Sequence, residues 1–254
     1  MPPSPLVARL REGPPLHAAF SAIPAPAVPE LLALAGFDVV IFDAEHGPLG
    51  AEVLDRLVPA ALAARIAPII RVRVNEPSLI GAALDVGAAG VMVPQIDSPA
   101  AAASAVQAAR FAPAGRRGAN PYVRSAGYSG GREYFARAND DVALLLMVEG
   151  AAAVTALPDI LATPGFDALF IGPFDLSQAL GVPGEIEHPR VIEKVSEIVA
   201  QAGSRGVATA VFAPTAGAAR RWLHLGVRLV ALGFDTAMAL QGFRAVRQAL
   251  GDQE

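Results

Sequence analysis

The sequence predicts a closed (β/α)8 barrel folded as one domain over residues 1–254, and three observations predict it. Eight short β-rich runs alternate with Ala- and Leu-rich stretches of helical period. The length of 254 residues suits a single barrel of this kind, which commonly uses about 250. The chain is also 53% apolar and only 17% charged, as expected of strands covered on both faces. An open doubly wound sheet is the runner-up, and the absence of GxGxxG after the first run counts against it.

Residues 1–14, rich in proline and polar groups, are expected to be a flexible N-terminal segment. The strands follow as LHAAFSA (16–22), FDVVIFDA (37–44), APIIRVRV (67–74), GVMVPQI (90–96), VALLLMVE (142–149), FDALFIG (166–172), VATAVFA (207–213) and VRLVALG (227–233). Helices are expected near 26–35, 51–65, 77–86, 98–110, 151–162, 188–204, 215–225 and 235–250. Start signals mark several of them: Pro77 after Asn75-Glu76, Pro99 after Ser98, and Asp235-Thr236. The segment from Ala112 to Asp141 breaks the rhythm with many turn formers and one short helical piece near 131–138. Loops of that length in a compact domain are usually functional, so it is expected in the site or in a subunit contact.

Composition removes several chemistries. With no Cys there are no disulfides, thiolate zinc sites or Cys nucleophiles. Net charge is −4 and the arginines are scattered, so a nucleic-acid surface is not expected. No run is long and apolar enough to span a membrane, and the N-terminus lacks the regions of a signal peptide, so a cytoplasmic protein acting on small molecules is expected.

The stretch FDVVIFDAEHGPLG (37–50) carries the first functional signal. A run of Val, Ile and Phe fit for a dry interior ends in Asp43, Glu45 and His46, and Gly47-Pro48 then stops the strand. In a barrel the active site forms at the C-terminal ends of the strands. Ionisable residues expected there are Asp43, Glu45 and His46 after the second strand, Arg71 and Arg73 on one face of the third, Glu149 closing the fifth, and Asp175 just after the sixth.

Glu149 and Asp175, with no Lys near either, form a hard oxygen site suited to Mg²⁺ or Mn²⁺, with Co²⁺ a third candidate. Each has a bland alternative. Asp175 in DLSQ (175–178) is a good helix N-cap, and Glu149 fits a buried ion pair. His46 is either a general base or a satisfied core histidine. Arg71 is either a fixed cation facing an oxyanion or a counter-charge for buried carboxylates.

The segments DAEHGP, IIRVRVNEP, ALDVGAAGVMVPQI, RFAPAGRRG and FDALFIGPFDLSQALGVPG resemble, in order and spacing, the HpcH/HpaI family of metal-dependent 2-oxo acid aldolases, over about residues 16–240. The resemblance implies a barrel whose last helix is exchanged between subunits of a homotrimer or homohexamer. It implies cleavage of an aldol, a 4-hydroxy-2-oxo acid, to pyruvate and an aldehyde. Glu149 and Asp175 would hold the metal, His46 would move a proton through a water, and Arg71 would stabilise the enolate oxygen. Asp85 matches a residue that raises the basicity of the histidine, although a helix end should lie at the opposite face unless it serves a neighbouring subunit. Arg124 matches a position facing the acceptor aldehyde. Two departures stand out: Met147 where the family carries Gln, and Phe174 where it carries a small residue, which narrows the pocket. The amides of residues 174 and 175 remain able to hold a carboxylate.

Cleaving an aldol needs an electron sink, either a lysine imine or a metal acting as Lewis acid. The only lysine is Lys194, in a helical stretch and not at a strand end, which leaves the metal route. A lyase of the citrate lyase or malyl-thioester type is a second reading, and a non-catalytic ligand-binding barrel a third.

Overall fold

The computed structural model describes residues 6–251. Eight parallel strands close into a barrel in sequence order: β1 (Leu16–Ser21), β2 (Val39–Asp43), β3 (Ala67–Arg71), β4 (Gly90–Val93), β5 (Ala143–Val148), β6 (Ala168–Ile171), β7 (Ala208–Ala213) and β8 (Leu229–Phe234), which pairs back onto β1. Around it lie α1 (Leu6–Arg11), α2 (Ala27–Leu34), α3 (Ala51–Ala63), α4 (Pro77–Asp85), α5 (Pro99–Ala109), α6 (Arg132–Asp141), α7 (Ala151–Thr155), α8 (Leu157–Ala162), α9 (Pro173–Ala179), α10 (Pro189–Ser204), α11 (Ala216–His224) and α12 (Asp235–Ala249). The expected (β/α)8 barrel is therefore the observed fold. Among the described residues no helix is long and apolar enough to cross a membrane.

Strand parity divides the apolar residues into two shells. On β5, Ala143, Leu145 and Met147 face the barrel interior, while Leu144, Leu146 and Val148 face the helices. The same alternation puts Val39 and Ile41 of β2 and Ile69 of β3 inside. Continued by one step at each strand end, it delivers Asp43, Arg71 and Glu149 to the C-terminal mouth. Met147, 2% exposed, lies in the interior layer beneath Glu149.

Four local expectations are corrected. The segment expected to be flexible contains α1, whose Leu6, Val7 and Leu10 are buried with the barrel interior and whose Arg9 pairs with Asp38; residues 1–5 lie outside the described residues. The helix expected over 151–162 is two helices, α7 and α8, the second starting with Pro158 in its first turn. Residues 173–179 form a separate helix, capped by Gly172 with no side-chain cap, so Asp175 sits inside the first turn and is not its N-cap. Finally, β3 stops at Arg71 and β4 at Val93, where Pro94 has no N–H to offer. The start signals at Pro77 and Pro99 do open helices, and the Ser98 hydroxyl accepts from the Ala101 amide.

Candidate active site

The site is built on a buried ion pair. Asp43 is fully buried and receives Arg71 through both oxygens, Nε at 2.8 Å and Nη2 at 2.7 Å. The backbone amides of Glu45 and His46 also donate to Asp43 Oδ1, at 3.1 and 3.3 Å, and this folds the loop after β2 over its end. Arg71 Nη1 lies 3.2 Å from Glu45 Oε2. Three of its five N–H groups are thus engaged, and two remain for the mouth. Of the three ionisable groups ending β2, only Asp43 is buried. Glu45 is half-buried and His46 exposed, its Nε2 3.8 Å from Glu45 Oε2. The exposure of His46 sets aside the alternative of a satisfied core histidine; Asp43 alone lies in the interior, where Arg71 neutralises it.

Glu149 follows β5 directly, and its Oε1 accepts the backbone amide of Gln95 at 2.9 Å. Gln95 holds a left-handed conformation, φ +56°, unusual for a side-chain-bearing residue and common at functional sites. Its side-chain amide reaches Glu45 Oε1 at 3.4 Å. Gln95 carries no charge, so the pattern of ionisable residues at strand ends does not reveal it; its signal in the sequence is a polar residue after Pro94 at a strand end. Burial pushes the Glu149 carboxyl above the usual range, the Gln95 amide opposes this, and the charges of Asp175 and Glu45 add to it. Burial likewise raises Glu45, against the lowering effect of Arg71.

A cavity of about 580 Å³ brings together Glu45, His46, Gln95, Asp97, Glu149 and Asp175. Whether these residues fit a divalent cation is tested by Gly172. A Cβ there would stand 2.8 Å from Glu149 Oε2, so the backbone is kept bare around that oxygen. Like-charged carboxylates crowd together beside it, and a hard cation answers that arrangement. Among the described residues no group of three or more His, Asp or Glu is placed to hold a metal, so the protein contribution would be two carboxylates.

The structure does not bring every candidate to this cavity. Arg73 lies beyond the end of β3 and donates to the Ala44 carbonyl at 3.2 Å, so it does not share a strand face with Arg71. Asp85, at the end of α4, pairs with Arg117 at 2.7 Å. Arg124 pairs with Asp55 at 3.0 Å. Asp85 and Arg124 line a different cavity, of about 640 Å³, between α3, α4 and the 123–128 segment. A helix that returns from a strand's C-terminal end finishes at the other end of the barrel, which is why Asp85 cannot reach His46 of its own chain. Phe174 is 51% exposed and its ring packs on Phe212 at 5.6 Å; it does not itself line the smaller cavity, although its neighbour Asp175 does. Lys194 sits on the outer helix α10, paired with Glu197.

Residues 18–242 match the family described as HpcH/HpaI aldolase/citrate lyase. The chain belongs to this family. It is 36% identical over 233 residues to a 5-keto-4-deoxy-D-glucarate aldolase of Salmonella paratyphi C, covering 92% of this chain and 90% of that protein. A crystal structure of an HpcH/HpaI aldolase/citrate lyase family protein from Burkholderia cenocepacia J2315 superposes with a TM-score of 0.91 at 37% identity, covering 96% of this chain and 98% of the other. A citrate synthase, SbnG, superposes with a TM-score of 0.87 at 30% identity, covering 98% and 99%.

Proposed function

We propose that this carbon–carbon lyase is a divalent-metal-dependent aldolase that splits a 4-hydroxy-2-oxo acid into pyruvate and an aldehyde, and forms the same bond in reverse. The observation that carries the reading is the convergence of Glu149 and Asp175 with Glu45 and His46 in one cavity at the barrel mouth, beside Arg71 and with no lysine in reach. Kinship to a 5-keto-4-deoxy-D-glucarate aldolase supports it.

Glu149 and Asp175 would hold the cation, which supplies Lewis-acid polarisation of the 2-oxo group when bound. The residues do the rest. In the cleavage direction His46, exposed on its loop, accepts the C4 hydroxyl proton directly or through a water. The C3–C4 electron pair moves into the C2–C3 bond, the C2 carbonyl pair moves onto oxygen, and the aldehyde departs. The two uncommitted N–H groups of Arg71 would donate to the oxygen that gains charge, and the two bonds to Asp43 hold the guanidinium from swinging away. A proton returned to C3 gives pyruvate.

The same reading makes the chain a homotrimer or homohexamer that exchanges α12. Along that helix Leu240, Phe243 and Val246, and Leu250 at its C-cap, are exposed, an apolar face its own barrel does not cover. Asp85 and Arg124, distant from the cavity of their own chain, would then serve a neighbour's. The likeness to a citrate synthase favours a second reading, carbon–carbon bond formation onto a different oxo acid through the same enolate. Pyruvate release from a series of 4-hydroxy-2-oxo acids, with and without EDTA, tests the aldolase reading; release that survives full chelation overturns its metal dependence.

A further inference from the structure

The mouth of the barrel has two unlike halves. β2 and β3 and the end of β5 deliver Asp43, Arg71 and Glu149, whereas β1, β7, β8 and the first turn of α9 deliver phenyl rings. Phe20 stacks on Phe234 at 4.9 Å, Phe212 lies 6.3 Å from Phe234, and Phe174 closes the row 5.6 Å from Phe212. The border is marked by Arg71, whose Cζ stands 4.8 Å from the Phe20 ring centre. Polar atoms near this half are already spent: Ser21 Oγ donates to Asp235 at 2.8 Å, and Asp235 also accepts the amides of Ala22, Ile23 and Thr236. Phe174 nevertheless leaves half its surface in water directly beside Asp175.

Phe20 and Phe212 are buried, so Phe174 presents the open face of the row. We propose that Phe174, backed by these rings, binds an apolar substituent of the reacting molecule. The preferred substrate then carries an alkyl or aryl group where a compound such as 5-keto-4-deoxy-D-glucarate carries hydroxyls and a second carboxylate. The inference rests on the aldolase reading and narrows its substrate class. A hydroxyl pressed against these rings loses water and gains no partner, and a carboxylate loses more. In the adjoining cavity Glu45 and Asp97, which the cation would not engage, add repulsion of a second carboxylate. An alkyl group covers the exposed face of Phe174 with no polar debt. Two atoms of the reactants could bear it, C3 of the 2-oxo acid donor or the carbonyl carbon of the aldehyde acceptor.

The experiment uses the full chain with Mg²⁺ or Mn²⁺ and has two arms. On the acceptor side, carboligation of pyruvate is compared for butanal, glyceraldehyde and succinic semialdehyde. On the donor side, exchange of C3 protons with D₂O is compared for pyruvate and 2-oxobutanoate. We expect butanal to exceed the two polar aldehydes in kcat/KM by about tenfold, or 2-oxobutanoate to exchange at least as fast as pyruvate. Phe174→Ala, and independently the gentler Phe212→Leu, should erode that preference mainly through KM. Polar aldehydes that match butanal while 2-oxobutanoate is refused would overturn the inference, as would a preference that survives both variants. A parent protein showing neither pyruvate exchange nor carboligation overturns the aldolase reading itself, and the inference with it.

Discussion

Arg71 grips both carboxylate oxygens of Asp43 at 2.8 and 2.7 Å, in a place where neither side chain has appreciable access to water. The pair answers the question raised by a strand of Val, Ile and Phe that ends in an acid. Asp43 is the fixed counter-charge that holds a guanidinium at the barrel mouth and, through two backbone amides, shapes the loop bearing Glu45 and His46.

Breaking one side of this pair leaves a buried charge unpaired. Asp43→Ala should cost about 3–5 kcal/mol, lowering the melting temperature by roughly 10 °C for a domain of this size. Removing Arg71 as well, in Asp43→Leu with Arg71→Met, should recover much of that loss. Urea unfolding of the three proteins checks both statements, and a double variant no more stable than the single one contradicts them.

The anchor of Glu149 comes from the backbone of Gln95, not its side chain. Gln95→Gly keeps the N–H and suits the positive φ, so Mn²⁺ affinity should hold. Gln95→Pro removes the N–H and cannot adopt that φ, so affinity should fall about tenfold or more, as for loss of a group that orients a ligand. Calorimetric titration with Mn²⁺ distinguishes the two.

Glu149→Gln and Asp175→Asn should each abolish pyruvate formation and weaken Mn²⁺ binding while leaving the circular dichroism spectrum unchanged. A variant that retains parental turnover removes its residue from the metal site.

Because burial raises the Glu149 carboxyl, the folded metal-free protein holds its proton to higher pH than the unfolded chain does. The folded state then binds more protons just above the ordinary carboxylate range, and stability falls as pH rises through that window. Metal-free Glu149→Gln should therefore melt a few degrees above the parent at pH 7, with the gap closing as pH falls toward about 4, the ordinary range of a Glu side chain. A gap that widens in acid would reverse the sign.

His46→Ala should slow cleavage about a hundredfold or more, the range of a lost general base, yet leave the melting temperature almost unchanged, since the ring is exposed. Parental rates in this variant would return the proton transfer to another group.

The barrel itself was legible from the chain. Eight apolar runs too short for helices, alternating with helical periods, admit few other closed arrangements, and the start signals at Pro77 and Pro99 act locally, within one turn. Parity along a strand also carries Asp43, Arg71 and Glu149 inward, so the strand-end candidates could be found without coordinates. Tertiary structure decided what depends on groups far apart in sequence. Arg71 takes up Asp43 across the pairing of β2 with β3, and the Gln95 amide takes up Glu149 across the pairing of β4 with β5. It also decided that α1 packs with the interior residues, that Arg73 and Arg124 leave the site, and that the phenyl rings of Phe20, Phe174, Phe212 and Phe234 share one side of the mouth. The physical reason is that periodicity and capping are properties of a few successive residues. Which charge neutralises which, and which face stays uncovered, is set by closure of the barrel, which brings together residues more than two hundred positions apart.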